Sequence, residues 1–302
     1  GVLAALALHA PRVVFHLHDH RPFCPNGDRL YPQGGGICGA PMGVATCGWH
    51  ALRNGCAYGP RKRTLDLIRI REGVARAVAM ADATVTLSRY VADLAERNGV
   101  PADRTRVVAP PLPLEAFAPN PAPPRGGAGV LFAGRVMPSK GGRSLVRALA
   151  RIPNPQRPVL RIAGEGPDLP GVLAAAGRQG VRVDALGRLA ASELRAAYDD
   201  AAVLAMPSLW GEPFGLVGIE AFARGRPVVA YDAGAIAEWL APGAGRVVPR
   251  GDEASFATAI QELLEPGAWA KASALAFAAA RAYAPAQHVE RIESIYAGAA
   301  RP

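Results

Sequence analysis

Short apolar runs recur along residues 130–248, with helical patterns filling the intervals between them. The runs are Val130–Ala133, Val159–Ala163, Val181–Leu186, Val203–Met206, Pro227–Ala230 and Arg246–Val248. Strand-like runs that alternate with helices cannot pair through tight hairpins. Each helix returns the chain to the same edge of the sheet, so the strands lie parallel with helices on both faces. The spacing therefore predicts an α/β fold built on a doubly wound parallel sheet.

The chain has 302 residues, more than one ordinary domain. It is 50% hydrophobic and 20% charged, enough for sizeable cores. Three further runs, Val13–Leu17, Ala83–Leu87 and Arg106–Ala109, precede a Pro-, Gly- and Ala-rich stretch at 119–129. That stretch reads as an interdomain linker. The expected domains are 1–122 and 123–284, with a C-terminal helix over 285–302 packing back on the first. Residues 61–79 read as a helix, with Leu67, Ile70, Val74 and Val78 turned to the core. Ser88 suits the cap of a helix over 89–97. Between Arg61 and Arg76 lie six basic residues against two acidic ones, a face that suits anionic lipid or water.

No apolar run reaches the ~18 residues of a membrane-spanning helix. The opening Gly1–Leu8 is apolar but short and has no basic leader, so it does not read as a signal peptide. The chain does not start with Met and reads as the inside of a longer protein. The net charge of +9 favours acidic partners. No motif mixes aromatic and basic residues, so nucleic acid is not among the expected partners.

One stretch, 208–225, reads as a loop turning into a helix over about 214–224. Pro213 suits the approach to a helix. Gly215 and Gly218 leave the backbone open to a ligand. The helix start offers N–H groups and a positive dipole end to an anion such as a diphosphate. Glu212 lies in the loop and Glu220 two turns into the helix. Carboxylates repel phosphate but accept hydrogen bonds from sugar and ribose hydroxyls. Upstream, Gly134–Gly142 is a Gly-rich turn that carries Arg135 and Lys140, one forked and one point charge for a phosphate.

Glu212 and Glu220, with seven residues between them and Pro-Phe-Gly after the first, resemble the E-x7-E motif of retaining GT-B glycosyltransferases of family 4. The turn at Gly134–Gly142 is similar to the family's GR…KG. Ala163–Pro167 resembles its GxGP turn, and Leu186-Gly187 its LG turn. His18-Asp19 resembles the family's HD after a strand of the first domain. Pro110–Phe117 departs from the family's Asn-Gly-Val-Asp, which puts any role of that loop in doubt.

The resemblance implies two Rossmann-like domains facing a cleft, the N-terminal one incomplete. It implies a hexosyltransferase that moves a sugar from a nucleotide-diphosphate donor, a UDP- or GDP-sugar, to a hydroxyl with retention. His18, Glu212, Arg135 and Lys140 would be catalytic. Gly134, Gly164, Leu186, Gly187, Phe214, Gly215, Leu216 and Glu220 would hold the donor. No metal is assigned at that site. The acceptor would be a saccharide or lipid-linked saccharide, and the setting cytoplasmic polysaccharide or glycolipid synthesis, peripheral at the inner face of the membrane. A silent nucleotide-sugar-binding protein and a sucrose- or trehalose-synthase-like enzyme are the alternatives.

Cys24, Cys38, Cys47 and Cys56 are the only cysteines and fall within 33 positions. Such clustering points to a shared site. The spacing has no C-x2-C pair, and Cys47-Gly-Trp-His50 adds an alternative ligand. Structural zinc, disulfides and free thiols all stay open.

Overall fold

The computed structural model describes residues 10, 12–33, 35–56, 61–124 and 129–298. The opening run Gly1–Leu8 and positions 125–128 of the expected linker lie outside the described residues. The chain divides into two compact units. One comprises Gly1–Pro110, Trp210–Phe214 and Ala286–Pro302, the other Pro111–Leu209 and Gly215–Pro285.

In the first unit, β1 (Val14–Leu17), β2 (Ala83–Thr86) and β3 (Thr105–Val107) form a parallel sheet in that order. The Asp82 carboxylate accepts from the Val13 N–H at 2.7 Å and fixes the start of the β1–β2 pairing. Among the described residues three α-helices precede the linker: α1 (Val44–Arg53), α2 (Arg61–Ala79) and α3 (Arg89–Arg97). Ser88 caps α3 by accepting from the Val91 N–H at 3.2 Å. The core gathers Leu17, Phe23, Val78, Val91, Leu94 and Val100.

The buried stripe of α2 is rotated from the expected one. Ile70 is 60% exposed, whereas Thr64, Ile68, Ala75 and Val78 are buried and Leu67 and Val74 half-buried. Thr64 and Ala75 are small or polar and carry little weight in a periodicity count. Once they are included, the face 64-68-75-78 is as regular as the apolar one.

In the second unit, six strands run parallel: β4 (Val130–Ala133), β5 (Leu160–Ala163), β6 (Val183–Gly187), β7 (Val203–Met206), β8 (Val228–Tyr231) and β9 (Gly245–Val248). Their spatial order is β6-β5-β4-β7-β8-β9. The chain thus builds outward from β4 to β6, returns to the centre at β7, and builds outward the other way. The crossovers run through α4 (Gly142–Ala150), α5 (Leu169–Gln179), α6 (Ala191–Asp200), α7 (Leu216–Ala223) and the short α8 (Ile236–Trp239). After β9 come α9 (Glu253–Leu264), α10 (Pro266–Ala280) and α11 (Pro285–Ala297). Leu145, Leu149, Leu160, Ile162, Val203, Val229, Phe256 and Ile260 form the core between sheet and helices. Every strand lies within two residues of its expected position.

Two sequence expectations need correction here. Helix α7 spans 216–223, not 214–224, because Gly215 adopts the left-handed conformation (φ 96°) and breaks the chain's entry. The C-terminal helix starts at 285 as expected, since a residue before proline avoids the α region and Ala284 is extended ahead of Pro285. Gly218 does not open the backbone to a ligand. The Trp239 ring occupies the place where its Cβ would stand, and also packs edge-on against Phe222 at 5.5 Å between centroids.

Arg226 is 2% exposed yet faces no carboxylate in hydrogen-bond reach among its described partners. Its guanidinium donates to the carbonyls of Arg224, Ala201 and Ala122, and lies over the Trp269 ring. Burial lowers its pKa.

Gly218→Ala forces the Trp239 ring to move within a packed core. The variant is expected to lose ~1–3 kcal/mol, the usual cost of overpacking, while keeping its secondary structure. Denaturant titration beside the parent chain measures it, and an unchanged midpoint refutes the packing role.

Candidate functional site

In an open parallel sheet, ligands bind beyond the carboxyl ends of the strands where the order reverses. In the second unit that point lies between β4 and β7, which are neighbours. The loops leaving these two strands are 134–141 and 207–215, the same stretches whose composition suits an anion and a sugar.

Backbone hydrogen bonds brace the loop after β4. The Gly134 N–H donates to Ala163 O at 3.0 Å, and Val136 N–H to Glu165 O at 2.8 Å. Asp168 N–H returns to Val136 O at 3.1 Å. The loops lie so close that a Cβ on Gly164 would strike the Gly134 carbonyl, and one on Gly166 the Val136 carbonyl. The Ala163–Pro167 turn is therefore the brace of the Arg135 loop. Arg135 is exposed, and Lys140 half-exposed, ending a 3-10 turn over 138–140. Gly141 then turns left-handed (φ 72°) into α4, against Pro207 of the loop after β7. Leu209 N–H donates to Ser139 O at 2.8 Å, and Arg250 holds the Leu209 carbonyl at 2.8 Å. The two loops are thus tied together. Leu186 and Gly187 are half-exposed at the end of β6, with Glu165 beside Gly187.

No side chain caps the start of α7, where Leu216 is 45% exposed. Glu220 is half-buried and accepts from the Tyr198 hydroxyl at 2.9 Å. Burial raises the Glu220 pKa, and the Tyr198 bond opposes that rise. Tyr198 is itself held well above the usual phenol range by burial and by the Glu220 charge. The bond fixes one carboxylate oxygen and so orients the group.

Trp210–Phe214 belongs to the first unit. Glu212 is 3% exposed and accepts from the Trp210 indole N–H at 2.9 Å. Three residues distant in sequence fix this segment. His20 Nε2 donates to Gly211 O at 2.7 Å, and the Ser88 hydroxyl to Pro213 O at 2.7 Å. Tyr90 lies so close to Gly211 that no Cβ would fit there. The His20 ring meets Tyr90 and Trp210 edge-on at 5.8 and 5.5 Å. Burial lowers the His20 pKa, and the Arg29 charge adds to this against the Gly211 bond. His20 is therefore neutral with its proton on Nε2, and its buried Nδ1 has no partner. Phe214 is buried.

His18 is exposed at the end of β1 and stacks on His16 at 6.2 Å. Asp19 does not pair with it. Its carboxylate accepts from the Arg21 N–H at 2.8 Å. His20, Ser88 as a brace of the loop, Tyr90, Trp210 and Tyr198 are contributors that sequence reasoning missed. His20, one position past the His-Asp pair, and Trp210, two positions before Glu212, lay near motifs.

All four cysteines are free thiols. Burial pushes Cys24 and Cys47 up and Cys56 to about 11, so these three are not ready nucleophiles. Among the described residues no group of three His, Cys, Asp or Glu side chains is already set to hold a metal. No helix among them is long and apolar enough to cross a membrane.

Residues 127–266 match the family model described as glycosyl transferases group 1. A D-inositol 3-phosphate glycosyltransferase of Arthrobacter sp. (strain FB24) is 31% identical over 234 residues, 71% of this chain and 53% of that protein. A phosphatidyl-myo-inositol mannosyltransferase of Mycobacterium leprae is 36% identical over 182 residues, 58% of this chain and 48% of that one. The chain thus spans about half the length of the curated relatives it matches. Among solved structures, Anabaena Alr3699/HepE in complex with UDP superposes with a TM-score of 0.75 at 19% identity, covering 99% of this chain and 75% of that one. Sucrose-phosphate synthase of Thermosynechococcus elongatus gives 0.68 at 24% identity, covering 85% and 66%. The fold is GT-B.

His20 carries a pH prediction. Its folded pKa lies below the unfolded value of about 6.5. Above that pH both states are neutral and the group adds no slope. Below it the unfolded chain binds a proton that the folded one refuses, and stability falls until pH reaches the folded pKa. His20→Gln keeps a donor for Gly211 O but does not titrate. Its stability should fall less than the parent's between about pH 7 and about pH 5. Parallel curves in urea denaturation would exclude the assignment.

Proposed function

We propose that the chain is a retaining GT-B glycosyltransferase of family 4 that moves a hexosyl group from a nucleotide-diphosphate sugar to a hydroxyl acceptor. The observation that carries this reading is the pair of interlocked loops at the β4–β7 reversal. One presents Arg135 and Lys140, and the other runs through Glu212 into the uncapped start of α7, one turn ahead of Glu220. The match of residues 127–266 to group 1 glycosyl transferases supports it.

In this reading the nucleotide domain is 123–284. Gly134, Gly164, Leu186 and Gly187 line the nucleotide with backbone groups. Phe214, Gly215 and Leu216 lead the diphosphate to the first amides of α7. Glu220, oriented by Tyr198, accepts from the ribose hydroxyls. Glu212, fixed by Trp210, accepts from hydroxyls of the donor sugar, and His18 contacts the same sugar. As the bond from the anomeric carbon to the diphosphate breaks, negative charge grows on the leaving oxygen. Arg135, Lys140 and the α7 amides stabilise that charge without calling on a metal. Each lost contact of this kind is worth ~2.7–4 kcal/mol of barrier. The acceptor oxygen bonds to the anomeric carbon on the face the diphosphate leaves, and its proton passes to the departing phosphate. Retention follows.

The Anabaena structure holds UDP, which makes UDP-sugars the first donors to test. The curated relatives act on inositol phosphate and phosphatidyl-inositol by name, which points to a polyol or glycolipid acceptor. On α2, Ile70 is 60% exposed and Leu65 39%, between Arg63, Arg69 and Arg76, a surface suited to anionic lipid at the inner face of the membrane. Co-sedimentation with phosphatidylserine vesicles should be reduced by Ile70→Glu, and equal sedimentation of both chains would remove the membrane contact.

A thermal-shift titration with UDP, GDP, ADP and their sugars tests the donor site. One nucleotide should stabilise the chain by ~2.7 kcal/mol at a hundredfold excess over Kd. Glu220→Ala should abolish the shift. Tyr198→Phe should weaken binding by about tenfold, since its hydrogen bond orients a charged acceptor. No shift with any nucleotide overturns the donor assignment.

A further inference from the structure

Away from the donor loops, the first unit gathers all four cysteines around one pocket, together with His50 and Arg29. They arrive from four separate pieces of local structure. Cys24 opens a tight turn that closes when Gly27 N–H donates to Cys24 O at 3.1 Å. The chain then makes a small antiparallel excursion, bridged at Leu30 and Ile37. Cys38 ends it, with its N–H donating to Arg29 O at 2.6 Å. Cys47 lies in the first turn of α1, its N–H on Gly43 O at 2.8 Å. Cys56 follows the end of α1, its N–H turned back to His50 O at 3.4 Å.

The same segment lacks what holds the rest of the protein together. Among the described residues of 24–56, Arg29 alone is buried, and α1 buries no side chain at all. Trp49 is 60% exposed and Leu52 71%. A stretch of this length with no apolar core of its own needs another staple, and in small cores that is a disulfide or a metal. Arg29 supplies a fixed positive charge at the pocket. Its backbone is left-handed (φ 52°), its side chain is 3% exposed, and its guanidinium is held by the carbonyls of Phe23, Cys38 and Ala40. One of its nitrogens stands 3.9 Å from the Cys38 sulfur.

We propose that Cys24, Cys38, Cys47 and Cys56 bind one zinc ion as four thiolates, a structural site that holds the 24–56 segment in its fold. Four sulfur ligands close the tetrahedral shell and leave no position for water, which fits a structural rather than a catalytic ion. The Arg29 guanidinium, with one nitrogen 3.9 Å from the Cys38 sulfur, is the kind of outer-shell partner such a site uses. Loading exchanges four S–H bonds for four Zn–S bonds and releases four protons. The resulting centre carries a charge of −2, which the buried Arg29 faces. Among the described residues no three such side chains stand at metal-holding geometry, so the proposal requires the four sulfurs lining the pocket to close on the ion when it binds.

The test uses the full chain, produced with zinc in the medium and purified without chelator. Metal analysis should find close to one zinc per chain, and Cys56→Ser should bind it far more weakly. A strong chelator should lower the melting temperature of the parent chain, and added zinc should restore it. Cobalt substitution should give the sulfur-to-metal charge-transfer bands of tetrahedral thiolate ligation. A folded chain with only trace metal and an unmoved melting temperature under chelation overturns the site. So does an intact mass reduced by the hydrogens lost in disulfide formation. If Cys56→Ser does not fold, chelation and zinc return on the parent chain still decide between these outcomes.

Discussion

Parallel strands cannot be joined by short turns, and every crossover must climb over the sheet and come down beside a strand already laid. In the second unit this happens outward from β4 and then, after a return to the centre, outward from β7. At the reversal the two connections leave their strands in opposite directions. The sheet order makes β4 and β7 neighbours, so the segments 134–141 and 207–209 that follow them meet, tied by the Leu209 N–H on Ser139 O.

Those loops are placed by backbone atoms more than by side chains. Gly134, Gly164 and Gly166 let two turns lie carbonyl against α-carbon, and Gly141 lets a third lie against Pro207. Such contacts are short and leave little freedom, so the exposed Arg135 and half-exposed Lys140 project from a rigid base. The first unit uses a different device for Glu212. There, side chains from two other loops, His20 and Ser88, hold the carbonyls on either side of it. Fixing its backbone also fixes the orientation of the buried Glu212 carboxylate toward the Trp210 indole N–H.

The strands of the second unit were legible because strands buried on both faces read as unbroken apolar runs, and Gly turns mark their ends. The Glu212 and Glu220 loop was legible because its spacing is local. What holds it was not. His20 meets Gly211 across 191 positions, and Ser88 meets Pro213 across 125. No window of sequence contains both partners. The face of α2 was misread because Thr64 and Ala75 bury as fully as Ile68 while signalling little. Gly218 was misread because a missing side chain says only that something comes close. Here it is the Trp239 ring, 21 positions downstream.

The five residues Trp210–Phe214 are flanked on both sides by chain of the second unit while packing with the first. Neither unit is therefore a contiguous stretch of sequence. A gene segment covering 111–285 would carry the 210–214 loop away from His20, Ser88 and Tyr90, leaving the Gly211 and Pro213 carbonyls without the donors that hold them. Recombination that exchanges whole domains between relatives meets the same obstacle. A replacement second unit brings its own version of this loop, which must leave the space beside Tyr90 open where Gly211 stands and present its two carbonyls to the His20 ring and the Ser88 hydroxyl. The constraint on such an exchange falls on five residues.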